Sequence, residues 1–287
     1  MMLKSVIETI ELLQDLKKPG DILDYVKKYS DEVQYWDLGE VLFLRSYIKG
    51  EGKKIEVLGR LGSIKINNLL VSDADGAIIA LAVLRELSKE RQSGNYVIST
   101  SISLSAKLIQ HEPFNFMVPP IGIEEALNYE VDKQADFIIS IDSTKGNRIA
   151  KYSDFAITHV IKDGYIMKVS DEVLDIYEKV TDHEPYFVPL TSSDLTPMDF
   201  NSYHISTLIS PWLYTESPLI GVATVSKFAI PGYETGVQNI SMLENAGKFC
   251  VELSRFINKG GSAFDEKELI ELKNKLGESN LLKVKRK

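Results

Sequence analysis

Ser72-Asp73-Ala74-Asp75-Gly76 runs without a break into Ala77-Ile78-Ile79-Ala80-Leu81-Ala82-Val83-Leu84-Arg85-Glu86-Leu87. Two carboxylates stand on the threshold of a strongly apolar helix. Negative charge is favoured there, because the free N–H groups and the positive end of the helix dipole hold it. Either aspartate can cap the helix, which leaves the other to point into a cleft.

Strand patterns lie on both sides of this helix. Lys54 to Gly59 reads as a strand before it, and Asn95 to Ser103, rich in β-branched and aromatic residues, as a strand after it. Ala135-Asp136-Phe137-Ile138-Ile139-Ser140-Ile141-Asp142 is an almost unbroken apolar run that ends in Asp. Such a run fits a strand covered on both faces. Leu219–Val225 is of the same kind. Apolar residues at helical spacing predict a helix over 2–17, and Lys18-Pro19-Gly20 ends it. Shorter strands are expected over 33–36, 41–47 and Phe155–Ile161, with a hairpin at Lys162-Asp163-Gly164. Further helices are expected over 21–29, 170–180, 241–258 and 265–276, while 104–123 is less regular. Strands and helices alternate through most of the chain, which argues for an α/β sheet with helices on both faces.

Composition narrows the function. The 287 residues allow one large domain or two modest ones, and a net charge of −8 argues against a general nucleic-acid binder. The basic end Lys283-Val284-Lys285-Arg286-Lys287 is short and reads as a solvated terminus. No run is long and apolar enough to span a membrane, and the N-terminus lacks the apolar core of a signal peptide. Cys250 is the single cysteine, which fits a reducing cytoplasm, and its helical setting reads as that of a small core hydrophobe.

Sites in α/β folds gather at the carboxyl ends of the strands. Asp142 ends its strand there, where it can ligate a metal or form a polar turn. Lys145 and Arg148 follow in a loop and could hold a substrate anion or face water. His111-Glu112 could supply a ligand and a general base, or be an exposed loop pair. His204, between apolar residues, fits a packed histidine or a ligand. There is no Gly-x-Ser-x-Gly elbow, no phosphate loop and no His-Glu-x-x-His helix.

The order Ile55-Glu56-Val57-Leu58, Gly59-Arg60-Leu61-Gly62, Ser72-Asp73-Ala74-Asp75-Gly76, the strand to Asp142, and Phe228-Ala229-Ile230-Pro231-Gly232-Tyr233-Glu234-Thr235-Gly236 resembles the glutamyl-aminopeptidase family of co-catalytic metal exopeptidases. It resembles still more closely an uncharacterised prokaryotic family, the domain of unknown function family 1177, through its Gly59–Gly62, Ser72–Gly76 and Asp142–Arg148 segments. The resemblance implies a three-layer mixed β-sheet between helices, like that of the zinc exopeptidases, with a two-metal hydrolase site at the strand ends. Only Lys65 to Ser72 lies where the peptidases insert a β-domain, so 1–287 is expected to be a single domain.

The departures from that family are chemical. Arg60 and Gly62 stand where the peptidases have a His ligand and its nearby Asp, and Glu234 and Thr235 stand where the last His would fall. Two expectations follow. In one, the chain is a metal-dependent hydrolase of small peptides or amides with a remodelled, carboxylate-rich site. Asp73, Asp75, Asp142 and His204 would hold zinc, manganese or cobalt, and Glu112 and His111 would serve catalysis. Arg60, Lys145, Arg148 and Glu234 would bind the substrate. In the other, the chain holds no metal and is a small-molecule-binding or assembly protein, in which Arg60 fills the old metal position against an aspartate. The resemblance also implies a homo-oligomer.

Overall fold

The computed structural model describes residues 1–60, 62, 64–66, 69–104, 107–109, 116–118, 120–145, 152, 154–195, 208–226 and 239–279, and every structural statement concerns these. The strands are β1 (Glu32–Asp37), β2 (Val41–Ile48), β3 (Ile55–Gly59), β4 (Lys65–Ile66), β5 (Leu69–Leu70), β6 (Tyr96–Ser103), β7 (Lys107–Ile109), β8 (Phe116–Val118), β9 (Phe137–Lys145), β10 (Phe155–Ile157), β11 (Val160–Lys162), β12 (Tyr165–Met167) and β13 (Leu219–Ser226). The helices are α1 (Met2–Asp15), α2 (Leu23–Tyr29), α3 (Asp75–Leu87), α4 (Ile123–Glu130), α5 (Asp171–Thr181), α6 (Ser192–Leu195), α7 (Ile240–Asn258) and α8 (Glu266–Leu276).

Nine strands form one mixed sheet in the order β1-β2-β6-β3-β9-β13-β11-β12, with β10 also paired to β13. Its centre is parallel: β6 with β3, β3 with β9, and β9 with β13. Antiparallel strands flank it on both sides. Because side chains alternate across a strand, each central strand feeds two cores. Ile55 and Val57 of β3 pack with α1, α3 and α7, while Leu58 packs with Leu127 and Val131 of the α4 region and with Trp212. Helix α3 is buried from Asp75 through Leu84, since it lies between the sheet and the outer helices α1 and α7. Each apolar side chain of Ile or Leu size buried this way contributes roughly 1.5–3 kcal/mol. The α/β sheet between helices expected from the sequence is therefore present. No described helix is long and apolar enough to cross a membrane.

Several local expectations are corrected. The strand expected to end at Asp142 runs on to Lys145, because β13 pairs with it up to Ser226. The single strand expected over Phe155–Ile161 is two, β10 and β11. Between them the Thr158 hydroxyl accepts from the Gly221 N–H at 2.8 Å, so a side chain replaces one rung of the ladder. The helix expected from Asp75 to about Arg91 stops at Leu87, and a 3-10 turn over 88–90 follows. Helix α4 forms directly after the irregular stretch 104–123, where the sequence pattern marks no helix. The hairpin between β11 and β12 forms as expected, with Asp163 and Gly164 both at positive φ (51° and 76°), the backbone of a tight twisted turn. Helix α8 straps that turn: Lys273 pairs with Asp163, the Tyr165 hydroxyl donates to the Gly277 carbonyl, and the Ser279 hydroxyl donates to the Gly164 carbonyl. Cys250 is fully buried in α7, and burial pushes its thiol pKa up, as suits a core residue.

Candidate functional site

The centre of the sheet ends where α3 begins, and glycine makes the close approach possible. A Cβ on Gly59 would lie 2.3 Å from the Gly76 carbonyl oxygen, and one on Gly76 would lie 3.2 Å from both the Arg60 nitrogen and the Ile141 oxygen. Only bare backbone lets the first turn of α3 press against the ends of β3 and β9. A Cβ on Gly62 would likewise meet the Asp73 carbonyl oxygen at 2.7 Å. This packing carries Asp73, in the 3-10 turn Ser72–Ala74, and Asp75, the first residue of α3, to the carboxyl ends of the parallel strands. Asp142 comes from β9, opposite Ala223 of β13.

The three aspartates form one electrostatic unit. Burial pushes the Asp75 carboxyl up to about 7, and the negative charges of Asp73 and Asp142 push it the same way. The neighbouring hydroxyl of Thr224 acts in the opposite direction, more strongly than either aspartate charge but less than burial. Ser143 ties the other two together. Its N–H donates to Asp142 Oδ1 at 2.8 Å, and its hydroxyl donates to Asp73 Oδ1 at 3.4 Å.

Arg60 leaves the end of β3, and its backbone N–H donates to the Ile141 carbonyl at 2.9 Å. That bond follows directly on the last register pair of β3 and β9, Gly59 with Ile141. The Arg60 side chain is buried and engaged. Its Nε lies 3.2 Å from Glu130 Oε2 at the end of α4, and its Nη1 donates to the Ser210 hydroxyl at 3.0 Å. Ser210 opens a 3-10 turn, Ser210–Leu213, that also carries the buried Trp212.

Asp73, Asp75, Asp142 and Arg60 are thus brought to one end of the sheet. Lys145 ends β9, with its side chain outside the described residues. His111, Glu112, Arg148, His204 and Glu234 also lie outside them. Glu130, Ser143, Ser210 and Thr224 were not singled out from the sequence. A Glu closing a short helix before an apolar Val131 is the one local signal that could have marked Glu130. Among the described residues no group of three or more His, Cys, Asp or Glu side chains is placed to hold a metal ion.

Solved structures share this architecture. A mutant of tomato leucine aminopeptidase matches at 12% identity and a TM-score of 0.52, covering 87% of this chain and 60% of that one. LapA of Legionella pneumophila matches at 9% identity and a TM-score of 0.53, covering 89% and 73%. The bottromycin maturation enzyme BotP matches at 10% identity and a TM-score of 0.52, covering 88% and 70%. At these identities the likeness is one of fold. The chain spans 60% of the tomato enzyme's length. No curated protein matches in sequence. One family model, described as "Protein of unknown function (DUF1177)", matches residues 37–286.

Proposed function

The chain belongs to the DUF1177 family, and from that premise we propose that it is a hydrolase of small peptides or amides that works with a divalent cation at Asp73, Asp75 and Asp142. One observation supports the reading: Asp73, Asp75 and Asp142 belong to elements that meet at the carboxyl ends of the central parallel strands, the place where α/β folds bind their ligands, and the charges of Asp73 and Asp142 both act on the Asp75 carboxyl. Three such groups repel one another and are costly to keep charged unless a cation joins them. The Arg60 guanidinium is paired with Glu130, so its charge is shared with a carboxylate outside the trio.

The donor chemistry fits a hard cation. Three carboxylates suit manganese or magnesium better than zinc. They do not close a coordination shell alone, and the remaining donors are assigned to His204 and to water, with His111 and Glu112 serving proton transfer. When bound, the cation supplies a water acidified toward neutral pH. The chain's own groups fix the geometry: the Ser143 amide and hydroxyl hold the Asp142 and Asp73 carboxylates. Lys145, Arg148 and Glu234 are proposed to bind the substrate beside Arg60. A homo-oligomer belongs to the same reading and rests on the resemblance to the glutamyl-aminopeptidase family, and a reducing cytoplasm fits the single cysteine of the sequence.

The test is metal content. Protein purified without chelator, then offered manganese, cobalt and zinc in turn, is expected to hold one or two ions per chain and to unfold at a higher temperature with them. Asp142→Ala is expected to abolish both effects. Metal-free protein that gains no thermal stability from any of the three overturns the reading and leaves the ligand-binding one.

A further inference from the structure

Strand β3 carries two buried charges on one face. Glu56, Leu58 and Arg60 alternate onto the side of α4, whereas Ile55 and Val57 face α3. The last turn of α4 and the residues after it meet both charges. At one end the Asp132 N–H donates to Glu56 Oε1 and Oε2 at 3.1 and 3.0 Å, and the Ser99 hydroxyl donates to Oε1 at 2.5 Å. Arg45 of β2 reaches the same turn, donating from Nη2 to the Tyr129 and Val131 carbonyls at 2.9 and 2.8 Å. At the other end Glu130 pairs with Arg60, which Ser210 also holds. Four consecutive residues, Tyr129 to Asp132, are fastened from one side by Glu56 and Arg45, and from the other they hold the Arg60 guanidinium through Glu130.

The geometry points to a two-ended clamp: the proton on Glu56 sets how tightly the Tyr129–Asp132 turn is drawn onto β3, and through Glu130 it sets where the Arg60 guanidinium sits. Glu130 is then a positioning residue and Glu56 its control. Ionised Glu56 accepts from Asp132 with both oxygens. Neutral Glu56 must use one oxygen as a donor, so it loses part of that grip. The groups facing Glu56 are Arg45 and Tyr47 from β2, Ser99 from β6, and Asp132, whose carboxylate lies 3.8 Å from Lys54. Burial outweighs the pull of Ser99 and Arg45 and brings the Glu56 carboxyl up to about 7, into the neutral range. The clamp does not depend on the hydrolase reading, and its test needs neither metal nor substrate.

The chain's two tryptophans report on the two ends. Trp36 lies 5.2 Å from the Arg45 guanidinium, and Trp212 sits in the turn that Ser210 opens. Trp36→Phe leaves Trp212 as the sole tryptophan, and Trp212→Phe leaves Trp36. In metal-free protein both emissions are expected to titrate with a common midpoint near pH 7. Glu56→Gln should flatten both, while Glu130→Gln should flatten Trp212 and leave the Trp36 titration intact. A Trp212 signal that does not titrate, or that still titrates in Glu56→Gln, overturns the clamp. If Glu56→Gln does not fold, Ser99→Ala serves instead. It removes a donor to the ionised carboxylate and should raise both midpoints together by about one pH unit. A rise of the Trp36 midpoint alone overturns the coupling.

Discussion

Replacing Glu56 with Gln should change the slope of stability against pH. Glu56 is fully buried, and its carboxyl rises from 4.5 to about 7 on folding. The folded chain therefore binds this proton more tightly than the unfolded chain. The stability that neutral Glu56 contributes is fully present below pH 4.5 and is lost as pH rises through about 7. The gap corresponds to about 3 kcal/mol. Gln cannot ionise, so the variant escapes this loss. At pH 5 it should be slightly less stable than the parent, by about 1 kcal/mol, because an amide replaces a carboxyl that accepts from Ser99 and Asp132. At pH 8 the order should reverse, with the variant–parent difference moved by about 2.5 kcal/mol in favour of the variant, the part of the gap that lies between pH 5 and pH 8. Urea unfolding of both proteins at a series of pH values measures this directly, provided the slopes against urea agree. A variant–parent difference that stays flat from pH 5 to pH 8 would refute the reasoning, as would one that moves the other way.

Arg60→Met should destabilise the chain by about 3–5 kcal/mol, because it leaves the Glu130 carboxylate buried without its cation. Adding Glu130→Met should recover part of the loss, which a double-mutant cycle by chemical denaturation would read. Gly59→Ala places a Cβ against the Gly76 carbonyl and should cost about 1–3 kcal/mol, seen as a drop of several degrees in Tm. Asp265 caps α8 by accepting from the Lys267 and Glu268 amides at 2.8 and 3.3 Å. Asp265→Ala should therefore lose about 1 kcal/mol, with faster amide exchange confined to that helix.

The sequence exposed the central layer of the fold most clearly. The apolar helix from Asp75 and the strands at 55–59, 96–103 and 219–226 announce themselves because each is buried on both sides, so their patterns are strong. Short elements were hidden. Helix α4 shows only Ala126 and Leu127 as buried apolar residues, too few to reveal a helical period. The break at Thr158 depends on a hydroxyl finding Gly221 across the sheet, and no local pattern encodes that. The site divides the same way. Asp73, Asp75 and Asp142 are legible because helix starts and strand ends mark them. Arg60 was legible as a position, but its partner was not. An aspartate contact was the expectation of the binding reading, whereas the guanidinium pairs with Glu130, far along the chain in a helix the pattern did not show. Placing Glu130 requires the fold itself.

The strap of α8 over the β11–β12 turn has a consequence for how the molecule behaves in a crowded solution. That hairpin is two strands of three residues each, and a piece so small has little cohesion of its own. Lys273, Gly277 and Ser279 keep it folded down at the border of the sheet. Clip the chain before Asp265 and every central strand would remain, but the border would fray and bare the rim of β11 and β13. Open backbone of that kind recruits strands from other molecules. Such a shortened chain should fold and then clump, so α8 guards the molecule's keeping qualities more than its shape.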